Sequence, residues 1–216
     1  MVPGIFIERM STRLAVVSVK GHMVKAYIST GIDISFLQEG SLCYLREASG
    51  TQRTTSYDLY SVYDGDTLVC IDAKEPLHVA KEWFQHRCQE EEGREDNVIE
   101  FLRSQTLMVV HGPMDSECIQ VMGTSFVKDE VAYLPETPSK ALRDRLQTLL
   151  GITRDTPHLL IVVCRDDAKA FSIKEEVDVE FTMLFRQVRD IGIPITVLRC
   201  VCDEDGMKAE KVIPFL

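Results

Sequence analysis

Between Ile5 and Asp72 the chain breaks into six short β-like runs, IFIE, RLAVVSVKG, MVKAYI, SLCYLREA, YDLYSVY and TLVCID. Turn signals separate them at Lys20-Gly21, Glu39-Gly40, Ala48-Ser49-Gly50 and Asp64-Gly65-Asp66. Five or six strands in so short a stretch point to a small barrel or sandwich. VYDGDTLV is the clearest hairpin, because Asp-Gly readily supplies the positive φ values of a type I′ turn. Pro76 then opens PLHVAKEWFQHRCQE, where Leu77, Ala80, Trp83, Phe84 and Cys88 recur at helical spacing, so a connecting helix is expected here.

The run from Gln89 to Asp96, with five acids and a glycine, marks a boundary or exposed turn. Beyond it come VIEFL and the strand-like TLMVV, ECIQVMG, SFV and VAYL. Pro138 to Leu150 reads as a helix with Ala141, Leu142, Leu146, Leu149 and Leu150 on its apolar side, stopped by Gly151. LLIVVC has the length and branching of a fully buried strand, DVEFTMLFRQVRDIG is a helix closed by Gly192, and IPITVLRCV is a last buried strand. This order implies a mixed sheet covered by helices. The division it suggests is a β-barrel over residues 1–75, a connecting helix and acidic linker over 76–96, and an α/β unit over 97–216.

Composition narrows the functional classes. The longest apolar run, Leu159 to Cys164, is far below the roughly 20 residues that span a bilayer, so no membrane partner is expected. The N-terminus lacks the features of a signal or transit peptide. Seven cysteines, at 43, 70, 88, 118, 164, 200 and 202, are odd in number and scattered, several inside apolar runs. They read as buried thiols in a reducing, intracellular compartment, cytoplasmic by default. Cys200 and Cys202 face the same way along a strand, but no second Cys or His pair accompanies them, so core packing is favoured over a metal site. The net charge is −10, with 24 basic against 34 acidic side chains. Residues 1–85 hold eight basic and ten acidic side chains, a net of −2, which leaves −8 for the remainder. Such a balance argues against nonspecific binding to the phosphate backbone, which relies on Lys and Arg.

Several segments, in collinear order over nearly the whole chain, resemble the sugar fermentation stimulation protein A family. They are GIFIERMSTRLAVVSVKG, AYISTGIDISFLQEGSLCYL, QRTTSYDLYSVY, TLVCIDAKEPLHVAKEWF, QVMGTSFVKDEVAYLPETPSKALRDRL, LLIVVCRDDAKAFS and DVEFTMLFRQVRDIGIPITVLRC. The resemblance implies an α+β fold, an N-terminal OB-like β-barrel followed by a PD-(D/E)XK nuclease-like α/β domain with a mixed sheet and covering helices. It also implies where a nuclease site would fall. Aligning LPETP with the family's FPDAP puts the metal-binding Glu at Gln120 and the catalytic Lys at Met122, and the earlier SRxD puts the other metal-binding Asp at Leu107. Glu136 stands for the Asp of FPDAP, and Arg145 for the family's His. Leu and Met offer a hard cation no ligand and a water no base, and Gln offers only a neutral carbonyl.

The same resemblance marks candidate nucleic-acid contacts in the barrel. Arg9 and Arg13 flank the first strand, Tyr27 stands at the family's His, and Arg53 at its Arg-Lys pair, whose Lys is here Thr54. OB-type barrels bind single strands through basic grooves and aromatic platforms. Tyr27, Tyr44, Tyr57 and Tyr60 are either such platforms or half-buried strand residues, the second being favoured. No HxxxH, GxSxG or phosphate-loop motif occurs. The expectation is a noncatalytic protein, an interaction or scaffolding subunit with a protein partner and no cofactor. Two alternatives stay open. One is single-strand binding through residues 1–75, and the other is a Mg-dependent nuclease with relocated ligands drawn from Asp115, Glu117 and Lys128.

Overall fold

Strict alternation builds the first strands. In β2 (Leu14–Val19) Ala15, Val17 and Val19 are buried while Leu14, Val16 and Ser18 are not, the period-two pattern of a sheet with one face on a core. The same holds in the first half of β1 (Val2–Ser11), the second half of β3 (His22–Ile28) and in β4 (Leu42–Glu47), whereas the middle of β5 (Tyr57–Asp64) is buried on both faces. The computed structural model describes residues 1–29, 36–48, 54–90, 98–101, 106–112 and 116–216. β1 pairs with β2 and β4, β2 with β3, and β4 with β5, all antiparallel, and β3 runs parallel to β5. That last pairing closes five strands into a barrel around Phe6, Val17, Ile28, Leu45 and Leu59. β6 (Thr67–Cys70) hangs on the outer side of β5.

The turns differ from expectation in an instructive way. The β5–β6 hairpin is closed by Asp64 opposite Thr67, so its two central residues are Gly65 and Asp66. Only Gly65 has positive φ, at 60°, which is the type II′ pattern rather than type I′. The β2–β3 hairpin has positive φ at both central positions, 50° at Lys20 and 83° at Gly21. Type I′ therefore falls where a lysine, not a glycine, takes the first strained position.

After the barrel come α1 (Glu75–Glu90), β7 (Val98–Phe101), β8 (Leu107–His111), β9 (Ser116–Thr124), β10 (Val127–Lys128), β11 (Val131–Leu134) and α2 (Lys140–Leu150). They are followed by β12 (Thr156–Val163), β13 (Ala170–Ile173), α3 (Val179–Asp190), β14 (Ile195–Cys202) and β15 (Met207–Val212). A six-stranded mixed sheet runs β15-β14-β12-β9-β8-β7, parallel at its centre and antiparallel at its flanks. β10, β11 and β13 form a separate small sheet. The two faces of β12 show how the layers form. Leu160 and Val162 face α1 through Val79, Ala80 and Phe84, while Leu159, Ile161 and Val163 face α2 and α3 through Leu146, Phe181 and Phe185. Six of the seven cysteines are free and buried; the side chain of Cys88 lies outside the described residues.

The α1-side core is continuous with the barrel. Tyr60, Leu68 and Cys70 belong to the same apolar cluster as Val162, Leu198 and Cys200. Polar ties reinforce this junction. Arg165, nearly buried, reaches Asp64 at 2.9 Å, Asp167 at 2.6 Å and the Ser125 carbonyl at 3.2 Å. Against the burial that would lower it, these two carboxylates hold the Arg165 guanidinium above its ordinary pKa. At the start of α1, buried Glu75 accepts from Arg46 at 2.8 Å and from the Tyr60 hydroxyl at 3.0 Å.

Candidate functional sites on the sheet and in the barrel

β8 and β9 pair antiparallel with Leu107 opposite Gln120. Met122 lies two residues further along β9, so all three positions share one face, the face that α2 and α3 cover. Leu107 is 7% exposed and packs with Val109, Cys118 and Ile152, and Met122 is fully buried in the α2–α3 core. Gln120, 1% exposed, donates through its amide to the Thr106 carbonyl at 2.8 Å and to the Val121 carbonyl at 3.3 Å. That amide therefore stitches the chain entering β8 to β9. The row is dry, and its only polar member has its hydrogens engaged.

Glu136 sits at the far end of this face. Its Oε1 accepts from the Thr124 hydroxyl at 3.0 Å and from the backbone N–H groups of Ser125 and Phe126 at 3.2 and 3.1 Å. The carboxylate thus satisfies the turn that follows β9, a local structural role. Arg145 is half-buried on α2, which packs over β9. Burial lowers its affinity for the proton, and no ion pair to it forms among the described residues. Gly123 completes the local design. A Cβ there would lie 2.5 Å from Cγ of Pro76, so glycine is what lets the first turn of α1 approach β9.

On the opposite face three strands bring together a carboxylate, an imidazole and a hydroxyl. His158 Nδ1 lies 2.5 Å from Glu117 Oε1, and Nε2 lies 2.9 Å from the Thr196 hydroxyl. His158 also packs edge-on against Phe84, with ring centroids 5.9 Å apart. Glu117, a candidate for a migrated ligand, is thus committed to the α1 side and points away from Gln120. Lys128 lies exposed on β10, and Asp115 falls outside the described residues. No sequence signal announces this row, because residues 117, 158 and 196 meet only through the registers of β9, β12 and β14.

The barrel carries a cavity of about 520 Å³ lined by Tyr27, Ser29, Thr54, Thr55, Asp58, Asp72 and Lys74 together with Leu59. Tyr27 and Thr54, singled out by sequence at separate places, meet here. Arg53 lies outside the described residues. Arg9 is folded back onto its own hairpin, donating to the carbonyls of Ser11 and Thr12 at 3.0 and 3.3 Å, so it does not extend toward the cavity. Arg13 is exposed in that hairpin, and its carbonyl accepts from the N–H of Ile28. Three of the four tyrosines follow the favoured reading, strand residues turned to the cores. Tyr60 is fully buried and bonded to Glu75, while Tyr44 and Tyr57 pack partly buried against the cores. Of the four, Tyr27 alone lines the cavity.

Comparison with known proteins agrees with this architecture. Residues 76–206 match the family described as "Sugar fermentation stimulation protein RE domain". The chain is 25% identical over 202 residues to a sugar fermentation stimulation protein homolog of Aquifex aeolicus, covering 93% of this chain and 91% of that one. It is 26% identical over 208 residues to a homolog of Clostridium kluyveri, covering 93% and 90%. The structure of Pyrococcus furiosus SfsA in complex with Ca²⁺ superposes with a TM-score of 0.81 at 17% identity, covering all of this chain and 95% of that one.

Proposed function

The chain belongs to the sugar fermentation stimulation protein family, and from that premise we propose that it is a noncatalytic member serving as an interaction or scaffolding subunit. The observation that supports this reading is the row Leu107, Gln120 and Met122, apolar or amide, closed to solvent and facing one way on adjacent strands. A PD-(D/E)XK centre requires two carboxylates to hold a hard divalent cation and a lysine to activate water. This donor set does not fit such a cation. Glu136 is occupied by the turn after β9, and Glu117 by His158 on the other face. The acidic excess of the second part suits a surface that addresses a protein partner better than one that approaches phosphates.

The test is direct. Purified full-length chain is incubated with single- and double-stranded DNA and RNA in Mg²⁺ or Mn²⁺, and no cleavage is expected. Metal-dependent cleavage that persists through further purification overturns the proposal. In parallel, binding to single strands is measured at low salt. Tight binding that weakens on Arg13→Glu replaces the proposal with a strand-binding role for the barrel.

A further inference from the structure

The barrel closes at the seam where β3 runs parallel to β5, with Tyr27 beside Asp58 and Ile28 beside Leu59. The cavity of about 520 Å³ lies at this seam, where the chain leaves β3 through Ser29 and enters β5 through Thr54 and Thr55. The segment that follows β6 supplies another wall. Ser29 Oγ accepts from the N–H of Ala73 at 3.2 Å, and Asp72 Oδ1 from the N–H of Lys74 at 3.1 Å. Leu59 and Thr55, 1% and 8% exposed, are the most deeply buried of the lining residues, while Thr54 and Lys74 form an exposed rim.

The chemistry of this lining selects its occupant. The hydroxyls of Tyr27, Ser29, Thr54 and Thr55 both donate and accept, the ionised carboxylates of Asp58 and Asp72 only accept, and Lys74 only donates. Leu59 is the one aliphatic residue among the described residues of the lining. An apolar ligand would strip water from the polar groups and return no hydrogen bond. An anion is disfavoured as well, because two carboxylates line the space against one ammonium. Nor does the site call for a cation, since Asp72 already has the Arg46 guanidinium at 3.6 Å and Lys74 stands at the rim. An uncharged molecule whose own groups both donate and accept suits all of these residues at once.

We propose that this cavity is a binding site for an uncharged, polyhydroxylated small molecule, a polyol or a mono- or disaccharide. Its volume of about 520 Å³ falls within the roughly 300–1,000 Å³ of ligand pockets. A carboxylate offers about four acceptor sites, so Asp58 and Asp72 take donors from adjacent ligand hydroxyls while keeping their partners in the protein. The protein hydroxyls turn to suit whichever group they meet. Tyr27 adds an aromatic ring whose apolar body suits the C–H side of a sugar ring. This site goes beyond the scaffolding role and uses none of the residues that support that role.

The experiment titrates isotope-labelled, full-length protein separately with glucose, sucrose, ribose and myo-inositol and follows the backbone amides by NMR, with inorganic phosphate and a thymidine oligonucleotide in parallel. At least one of the polyhydroxylated compounds is expected to give saturable shifts at residues 27–29, 54–59 and 72–74, with a Kd in the millimolar range or tighter. Asp58→Asn is expected to weaken that binding about tenfold, because a neutral acceptor replaces a charged one. Thr54→Val, at the exposed rim, is expected to weaken it about threefold and serves as the comparison if Asp58→Asn does not fold. Absence of saturable shifts with all of these compounds, saturation that maps elsewhere on the protein, affinity unchanged in both variants, or a response only to phosphate or the oligonucleotide overturns the proposal.

Discussion

Leu107 and Gln120 stand opposite each other across β8 and β9, and the amide of Gln120 spends its hydrogens on main-chain carbonyls rather than on anything across the pair. An apolar side chain facing an engaged amide keeps the sheet face dry. A carboxylate placed there would be desolvated with no cation built in beside it. Leu107→Asp is therefore expected to destabilise the fold by roughly 3 kcal/mol or more. Chemical denaturation in EDTA measures this, and a variant as stable as the parent contradicts it.

Gln120→Leu tests the other half of the pair. It leaves the Thr106 carbonyl, which also accepts from the N–H of Val121, with one partner fewer. The expected cost is about 1 kcal/mol. Urea midpoints with an unchanged m-value would report it, and a loss above about 3 kcal/mol would mean that packing, not the amide, dominates.

Glu136→Ala removes the acceptor shared by Thr124, Ser125 and Phe126. Hydrogen bonds to a charged group contribute about 1.5–3 kcal/mol each, but they share one oxygen, so a total of about 3 kcal/mol is expected. Glu136→Gln keeps the acceptor and should cost less. Equal losses in the two variants would show that the charge itself carries the turn.

Asp178 governs the acid limb. It caps α3 through the N–H of Phe181 at 3.0 Å, and its other oxygen accepts from the N–H of Ser139 at 3.0 Å and from Arg143 at 2.6 Å. Burial would raise its pKa, but these donors outweigh it and hold the carboxyl below the ordinary range. A depressed carboxylate gives stability that is present above its unfolded pKa of about 3.9 and is lost as pH falls through the folded value. Asp178→Asn should lower stability at pH 7 and flatten its decline below about pH 4. A variant whose acid limb parallels that of the parent would refute this.

The alkaline limb belongs to the thiols. Burial pushes Cys43 and Cys200 up to about 12 and Cys118 up to about 11, from 9.0. A thiol whose folded pKa is raised contributes stability that is intact below the unfolded value and falls with rising pH above it, because only the unfolded chain then releases the proton. Stability should decline from about pH 9 upward. At pH 8 these three cysteines should resist iodoacetamide until the protein unfolds, which a time course of alkylation read by mass spectrometry checks.

The fold was legible wherever burial is one-sided or complete. The six strands of residues 2–70, both later helices and the strands β12 and β14 announce themselves by alternation, capping residues and unbroken branched runs. Two elements did not. β13 (Ala170–Ile173) is short and sits in a three-stranded side sheet, and β15 (Met207–Val212) is an edge strand whose Lys208, Glu210 and Lys211 keep it polar. Edge strands are routinely charged to prevent further pairing, which erases the hydrophobic signal. Cross-strand meetings are equally hidden. The facing of Leu107 and Gln120 follows from register, and so does the row of Glu117, His158 and Thr196. Tyr60, expected as a half-buried strand residue, is buried completely, because its partner, Glu75 at the start of a helix, is set by tertiary packing and leaves no mark on the strand's own pattern.

The apolar cluster shared by Tyr60, Leu68 and Cys70 with Val162, Leu198 and Cys200 has a practical meaning for anyone who divides this chain. A fragment cut between Cys70 and α1 would present a greasy scar on each half, and each would seek its lost complement or aggregate. The intact molecule should accordingly melt in one cooperative step, its two halves surviving or failing together.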